Sequence, residues 1–315
     1  MTGGRPRTRR PLAAWSTWVV AALLLLPLIG GWGWLYLSVV AVSALLLTLA
    51  PGALPPRRAR DSEPVDLVVI LGLYLVVVLL MRLAFVGFGT DHVPGLFLSF
   101  AAALVLGVAG PVIYTVWTRQ RSLRDLGLRR DNLRPTVLLA VLFAGVQFAL
   151  TLWGYALPAA ADWVPLLVMA LVVGVFESIF FRGFIQNRLE AQFGGPVGIG
   201  GAAVLYGLYH VGYGMGAGEI AFLTGLGVTY AVAFALARNI LVLWPLLTPL
   251  GSFYAQVEAS DIDLPWASIA GFADVLAVML AVIWIAHRHE RRLADLRAPS
   301  PAPVQPHATR TSIPG

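Results

Sequence analysis

Apolar runs long enough to cross a bilayer recur along the chain, broken by Pro, Gly-Gly pairs and arginine clusters. A hydrocarbon core of ~30 Å takes ~20 apolar residues of α-helix. On that measure the pattern predicts spans near residues 13–29, 33–50, 65–88, 95–117, 136–158, 164–190, 197–214, 219–237, 239–256 and 266–286. Breakers fall between them at Pro51, Pro55, Pro56, Pro94, Pro135, Gly194–Gly195–Pro196 and Pro265. The expected fold class is all-α: a polytopic transmembrane helix bundle of about ten spans.

Arginine placement orients these spans. With the N-terminus inside, one set of connections holds Arg5 to Arg10, Arg57, Arg58, Arg60, Arg119 to Arg134, Arg182, Arg188, Arg238 and the tail from Arg288. The opposite connections hold Asp91, Asp162, Glu219, Glu258, Asp261 and Asp263 and no arginine. Arg82 falls near the far end of span three, where its long stem lets it snorkel. The positive-inside rule therefore predicts an even number of spans with both termini cytoplasmic. The basic start followed by an apolar run resembles a signal peptide, but no A-x-A-like site follows, so it reads as an uncleaved first helix. Leucines 123, 126, 128 and 133 interleave with charge in the longest inner connection, a pattern compatible with a short amphipathic surface helix. The expected organisation is a four-span region over 1–117 with a basic N-terminal tail, a core region over 118–256, a final span within 257–286 and a disordered cytoplasmic tail over 287–315.

Composition supports the membrane reading. Hydrophobic residues make up 58%, charged residues 12%, and the mean hydropathy is +0.80. A soluble domain carries about 25% charged residues. With no cysteine, disulfides, thiolate metal sites and a cysteine nucleophile are excluded. The net charge of +6 belongs to topology, and no nucleic acid is expected as a partner. All 22 basic residues are arginine, a bias suggesting a GC-rich genome and a multi-pass protein of a bacterial plasma membrane. The lipid bilayer is its first partner.

Within this pattern one stretch, Val164 to Gln192, places Glu177 midway through a span, followed by Arg182, Gln186, Asn187 and Arg188. An ionisable group at bilayer depth costs ~2.5–3.5 kcal/mol on insertion scales and marks a functional site by default, against a bland reading as a paired or neutralised structural acid. After the Gly194–Gly195–Pro196 turn the chain re-enters as VGIGGAAVLYGLYHVGYG, with His210 as the one histidine inside a span and Tyr206 one turn earlier on the same face. Gly198, Gly200, Gly201, Ala202 and Ala203 allow close approach to a neighbouring helix. Glu177 and His210 lie at similar distances from the turn, so an antiparallel pair brings them to similar depth. Such a pair can activate water and stabilise an oxyanion, relay protons in a transporter, or bridge two helices. Gln147, Thr224 and Thr229 read as interhelical hydrogen-bonding groups, and Asp274 as a second intramembrane acid that could join the site or serve a polar helix contact.

FESIFFRGFIQNRLEAQFGG resembles motif one of the CPBP (CAAX protease and bacteriocin-processing, or Abi) intramembrane proteases, a Glu-Glu pair followed by Arg and Gly. AAVLYGLYHVG resembles motif two, an aromatic residue with His four later; RSLRDLGLRRDNLRP resembles the upstream Leu-Gly-Leu segment; ARNILVLWPLLTPLGSFY resembles motif three. The resemblance covers roughly 118–256 in the family's order. It implies an integral membrane endopeptidase that hydrolyses a membrane-associated peptide or protein, with Glu177 activating water, His210 assisting and Arg182 holding the cytoplasmic end of its helix. Two departures accompany it. Ser178 replaces the second Glu, and motif three lacks its His and Asn, leaving Thr248, Ser252 and Tyr254 as supporting hydrogen-bond donors. No cofactor is called for by the residues. Zinc is implied by the family, but the missing histidine disfavours a two-histidine site, and the metal stays unknown. Alternatives are a catalytically impaired relative acting as a membrane-protein binding or assembly factor, and a proton-coupled transporter using Glu177, His210 and Asp274.

Overall fold

A computed structural model describes residues 63–151, 159–258 and 266–297. These residues are helical, with no strand among them. Helix α1 joins Pro64–Arg82 and Leu83–Phe88; α2 runs Val93–Thr118; α3 is Leu133–Thr151; α4 joins Ala160–Glu177, Ser178–Gln186 and Asn187–Phe193. Then come α5 (Gly195–Tyr209), α6 (Ala217–Ala237), α7 (Leu247–Glu258) and α8 (Ser268–Arg297).

Five segments are long and apolar enough to cross a membrane: Pro64–Phe88, Val93–Thr118, Trp163–Phe193, Ala217–Ala237 and Ser268–Leu296. They match five of the expected spans. The expected spans at 13–29 and 33–50 lie outside the described residues, as does the tail from 298. The remaining three differ from expectation. The segment at 136–158 is present as α3, whose described apolar part is Leu133–Gly145. That at 197–214 is the 15-residue α5, ended by a tighter turn at His210–Tyr213 and by Gly214 at φ +83°. The stretch 239–256 is not one helix. Arg238 turns left-handed (φ 51°), Asn239 caps a short turn at Ile240–Val242, and α7 starts only at Leu247, beyond Pro245. Proline and a capped turn interrupt the helical hydrogen-bond ladder despite an apolar sequence. The final helix also continues to Arg297, beyond the boundary at 286 drawn from hydropathy.

Local chemistry sets the helix ends. Asp66 Oδ2 accepts the backbone N–H of Glu63 at 2.9 Å at the start of α1, and Glu219 accepts that of Gly216 at 2.7 Å at the start of α6. Helix α4 is the axis of the fold. Ser178–Gln186 is a π-helical stretch whose nine residues are all buried, so neighbours surround the helix on every side. Helices α5 and α6 pack against it and each other through small residues. A Cβ on Gly198 would lie 2.4 Å from the Glu190 backbone nitrogen, and one on Gly207 would lie 2.8 Å from the Ile220 carbonyl oxygen. Gly200, grouped with them from sequence, meets nothing within 4 Å.

The connection after α2 is no amphipathic helix on the surface. It is a short turn, Leu123–Leu126, whose Leu123 and Leu126 are buried and which is pressed against Gly183 of α4. Polar bonds lock it down: Asn187 Nδ2 donates to the Asp125 carbonyl (2.9 Å), Asn132 Nδ2 to the Ala237 carbonyl (2.9 Å), and the Ile240 N–H to the Gly127 carbonyl (3.1 Å).

Candidate active site

Glu177 ends the regular part of α4, where its side chain is 5% exposed. Both carboxylate oxygens accept phenolic hydrogen bonds: Tyr209 donates to Oε1, and Tyr206 to Oε2 at 3.2 Å. The two tyrosines sit three residues apart on α5, spacing that puts both on one helix face. Phe181, one turn beyond Glu177, wedges between them, its ring 5.3 Å from Tyr206 and 4.7 Å from Tyr209. This packing fixes the phenols in a single orientation.

His210, 7% exposed, follows directly. Its Nδ1 lies 2.9 Å from the Tyr206 carbonyl oxygen, and its ring centroid 4.1 Å from that of Tyr209. A carbonyl only accepts, so Nδ1 carries the proton and, in the neutral ring, Nε2 is the acceptor. The expectation that Glu177 and His210 share one site is met in an indirect form. No hydrogen bond or ion pair joins them among the described residues. Tyr206 links them by bonding Glu177 through its hydroxyl and His210 through its carbonyl, and Tyr209 bonds one while packing on the other.

Arg182 is not at a helix end. It is 1% exposed within this cluster, its guanidinium 4.9 Å above the Tyr206 ring, with Nη1 and Nη2 lacking hydrogen-bond partners. Ser178 is buried, with its hydroxyl likewise unpaired. The motif-three positions approach from α7. Trp244 Nε1 donates to the Leu171 carbonyl (3.0 Å), and Pro249 packs on Gly174, one turn before Glu177. Thr248 is buried with an unpaired hydroxyl, while Ser252 and Tyr254 are half-buried. Nearer the cluster is Tyr230 of α6, whose ring lies 6.3 Å from Tyr206 and whose hydroxyl receives Gln147 at 3.5 Å. Asp274 is exposed on α8 and is no part of the buried cluster.

Tyr209 and Tyr230 escaped the sequence reading. The signal for Tyr209 was present: a second tyrosine on the face of Tyr206, next to His210. Tyr230 had none, because its place depends on how α6 crosses α5.

The zinc implied by the family does not fit these residues. No group of three His, Cys, Asp or Glu side chains among the described residues could hold a metal ion. His210 is the cluster's one imidazole, and phenols bond both Glu177 oxygens. The arrangement instead offers a buried base, an imidazole and several fixed hydroxyl donors.

No curated protein and no solved structure matches the chain significantly. Residues 158–246, the stretch that carries Glu177, Arg182, Tyr206, Tyr209 and His210, match the family model described as Type II CAAX prenyl endopeptidase Rce1-like, consistent with a CPBP-family intramembrane protease.

Proposed function

We propose that this membrane protein is an endopeptidase in which Glu177 activates water and His210 orients it or stabilises the oxyanion. The observation that carries this reading is the buried Glu177–Tyr206–Tyr209–His210 cluster. An ionisable side chain held by several donors at bilayer depth has a use that packing alone does not supply.

The water oxygen attacks the scissile carbonyl carbon as its proton passes to Glu177. The carbonyl oxygen becomes an oxyanion, which takes a hydrogen bond from a tyrosine hydroxyl, while Nε2 of the neutral His210 accepts a hydrogen bond from the attacking water and so orients it. Collapse breaks the C–N bond, and the proton on Glu177 moves to the departing amine, restoring the carboxylate. Arg182 lies beside Tyr206, where its fixed positive charge favours the anionic forms of the site. Ser178 and Thr248 are further buried donors, whereas Tyr254 packs against Leu166 and Ala170, away from Glu177. No step uses a metal.

The test is cleavage of membrane-spanning peptides by the purified full-length protein in liposomes, with and without a chelator. Glu177→Ala abolishes cleavage, and EDTA leaves it unchanged. Equal cleavage by wild type and Glu177→Ala would sink the assignment. A wild type that binds such peptides without cutting them would point to an impaired relative, the reading favoured by Thr248 and Ser252 at motif-three positions.

A further inference from the structure

The connection that follows α2 meets the last turns of α8 at the arginine-rich end of the molecule. Trp117 of α2 stacks on His289 with ring centroids 5.1 Å apart, and Glu290 accepts the backbone N–H of Leu123. Beside these contacts lies a cleft of about 350 Å³, within the size range of small-ligand sites. Arg121 and Ser122 line it from the connection, and His287 and Arg291 line it from α8. Arg121 is held 3.8 Å from Asp66, an acid shared with Arg119 at 3.2 Å, while Arg291 is exposed. His287 Nε2 has no hydrogen-bond partner among the described residues. Ser122 Oγ accepts the Arg124 N–H and keeps its own proton to donate. Gln120 also lines the cleft and holds a left-handed backbone (φ 49°), a costly conformation for a residue with a side chain and one that clusters at ligand sites. Glu290 is the one carboxylate in the lining, against two guanidinium groups.

The cleft also continues into apolar surface. Residues 280, 284, 287 and 291 form one stripe of α8, at spacings of four, three and four. Leu280 and Trp284, its apolar half, are exposed, and the Arg288 guanidinium lies 4.7 Å over the Trp284 ring. On α2, Val116 lines the cleft, and Ile113, three residues earlier on the same face, is exposed. Tryptophan beside arginine at the end of an apolar stripe is the pattern of a bilayer interface.

The geometry points to this cleft as a binding site for the phosphate of an anionic phospholipid. Arg121 and Arg291 meet its charge, and Gln120, Ser122 and His287 supply further donors. Leu280 and Trp284 take an acyl chain. A free phosphate shares the headgroup's chemistry but leaves that stripe uncovered. A zwitterionic lipid brings a quaternary ammonium, which two guanidinium groups repel. None of these residues belongs to the Glu177 cluster, so the site does not depend on the protease reading.

The test is thermal unfolding of the delipidated full-length protein in neutral detergent, titrated with phosphatidylglycerol, phosphatidylcholine or inorganic phosphate. Phosphatidylglycerol raises the melting temperature saturably, and the other two at equal concentration do not. Arg291→Ala raises the half-saturating concentration about fivefold, the scale for one basic residue at an anionic surface. Arg292→Ala, also exposed on α8 but outside the cleft, leaves it unchanged. Both arginines are exposed, so neither change opens the core, and the melting temperature without lipid checks this. Native mass spectrometry reads the same site directly: phosphatidylglycerol is retained by the wild type and by Arg292→Ala and is lost from Arg291→Ala. No shift with phosphatidylglycerol, an equal shift with phosphatidylcholine, or equal losses in the two variants overturns the site. An equal shift with inorganic phosphate overturns its assignment to a lipid.

Discussion

Glu177 is hydrogen-bonded by two tyrosine hydroxyls rather than by the imidazole that motif spacing pairs it with. A carboxylate bonded by two phenols is held in one rotamer, and its remaining lone pairs are aimed by the tyrosines. Tyr209→Phe removes one of those donors while keeping the ring packed on Phe181 and His210. We expect kcat for peptide cleavage to fall by ~10²-fold, the scale for losing one fixed donor at a developing charge, with KM little changed. Steady-state kinetics on one peptide checks this; a change in KM alone would assign Tyr209 to substrate binding. The residue scale was only partly legible in sequence. Glu177, Tyr206 and His210 stand out as polar groups in apolar runs. The bridging role of Tyr209 and the depth of Arg182 depend on which way side chains turn inside the bundle.

At the scale of elements, glycines set how closely α4 is approached. A Cβ on Gly183 would lie 2.4 Å from the Leu126 carbonyl oxygen, a backbone atom held by the locked turn. Gly183→Ala is expected to destabilise by ~1–3 kcal/mol, the range for overpacking. Gly200 on α5 faces open space, and Gly200→Ala is expected to be neutral or stabilising by up to ~1 kcal/mol through helix propensity and a less flexible unfolded chain. Thermal melts of the two variants in detergent check the pair; similar shifts would contradict the close approach at Gly183. Sequence marks both glycines alike, and only the crossing of neighbouring elements separates them.

Across the whole molecule, the arginine-rich face is closed by a few buried amides. Asn239 is fully buried; its Nδ2 donates to the Arg129 carbonyl (3.2 Å) and to Asn132 Oδ1 (2.9 Å), and its Oδ1 accepts the Leu241 N–H at 3.1 Å. Asn239→Ala leaves buried partners unsatisfied, at a cost of ~1–3 kcal/mol each before relaxation. We expect a lower melting temperature and faster proteolysis between Arg119 and Arg134; a melt and a proteolysis rate equal to wild type would contradict the closure.

The sequence by itself determined that the chain is helical and membrane-embedded, because apolar runs of span length leave the backbone no other way to satisfy its hydrogen bonds in lipid. It also marked Glu177 and His210 as polar groups within apolar runs, although it marked Asp274 in the same way. Tertiary structure alone decided the rest. Caps and prolines broke 239–256 into a turn and a short helix, against its hydropathy. The crossing of α4, α5 and α6 placed two phenols between Glu177 and His210. Those outcomes follow from contacts between residues distant in the chain, which hydropathy and spacing along one strand of sequence do not contain.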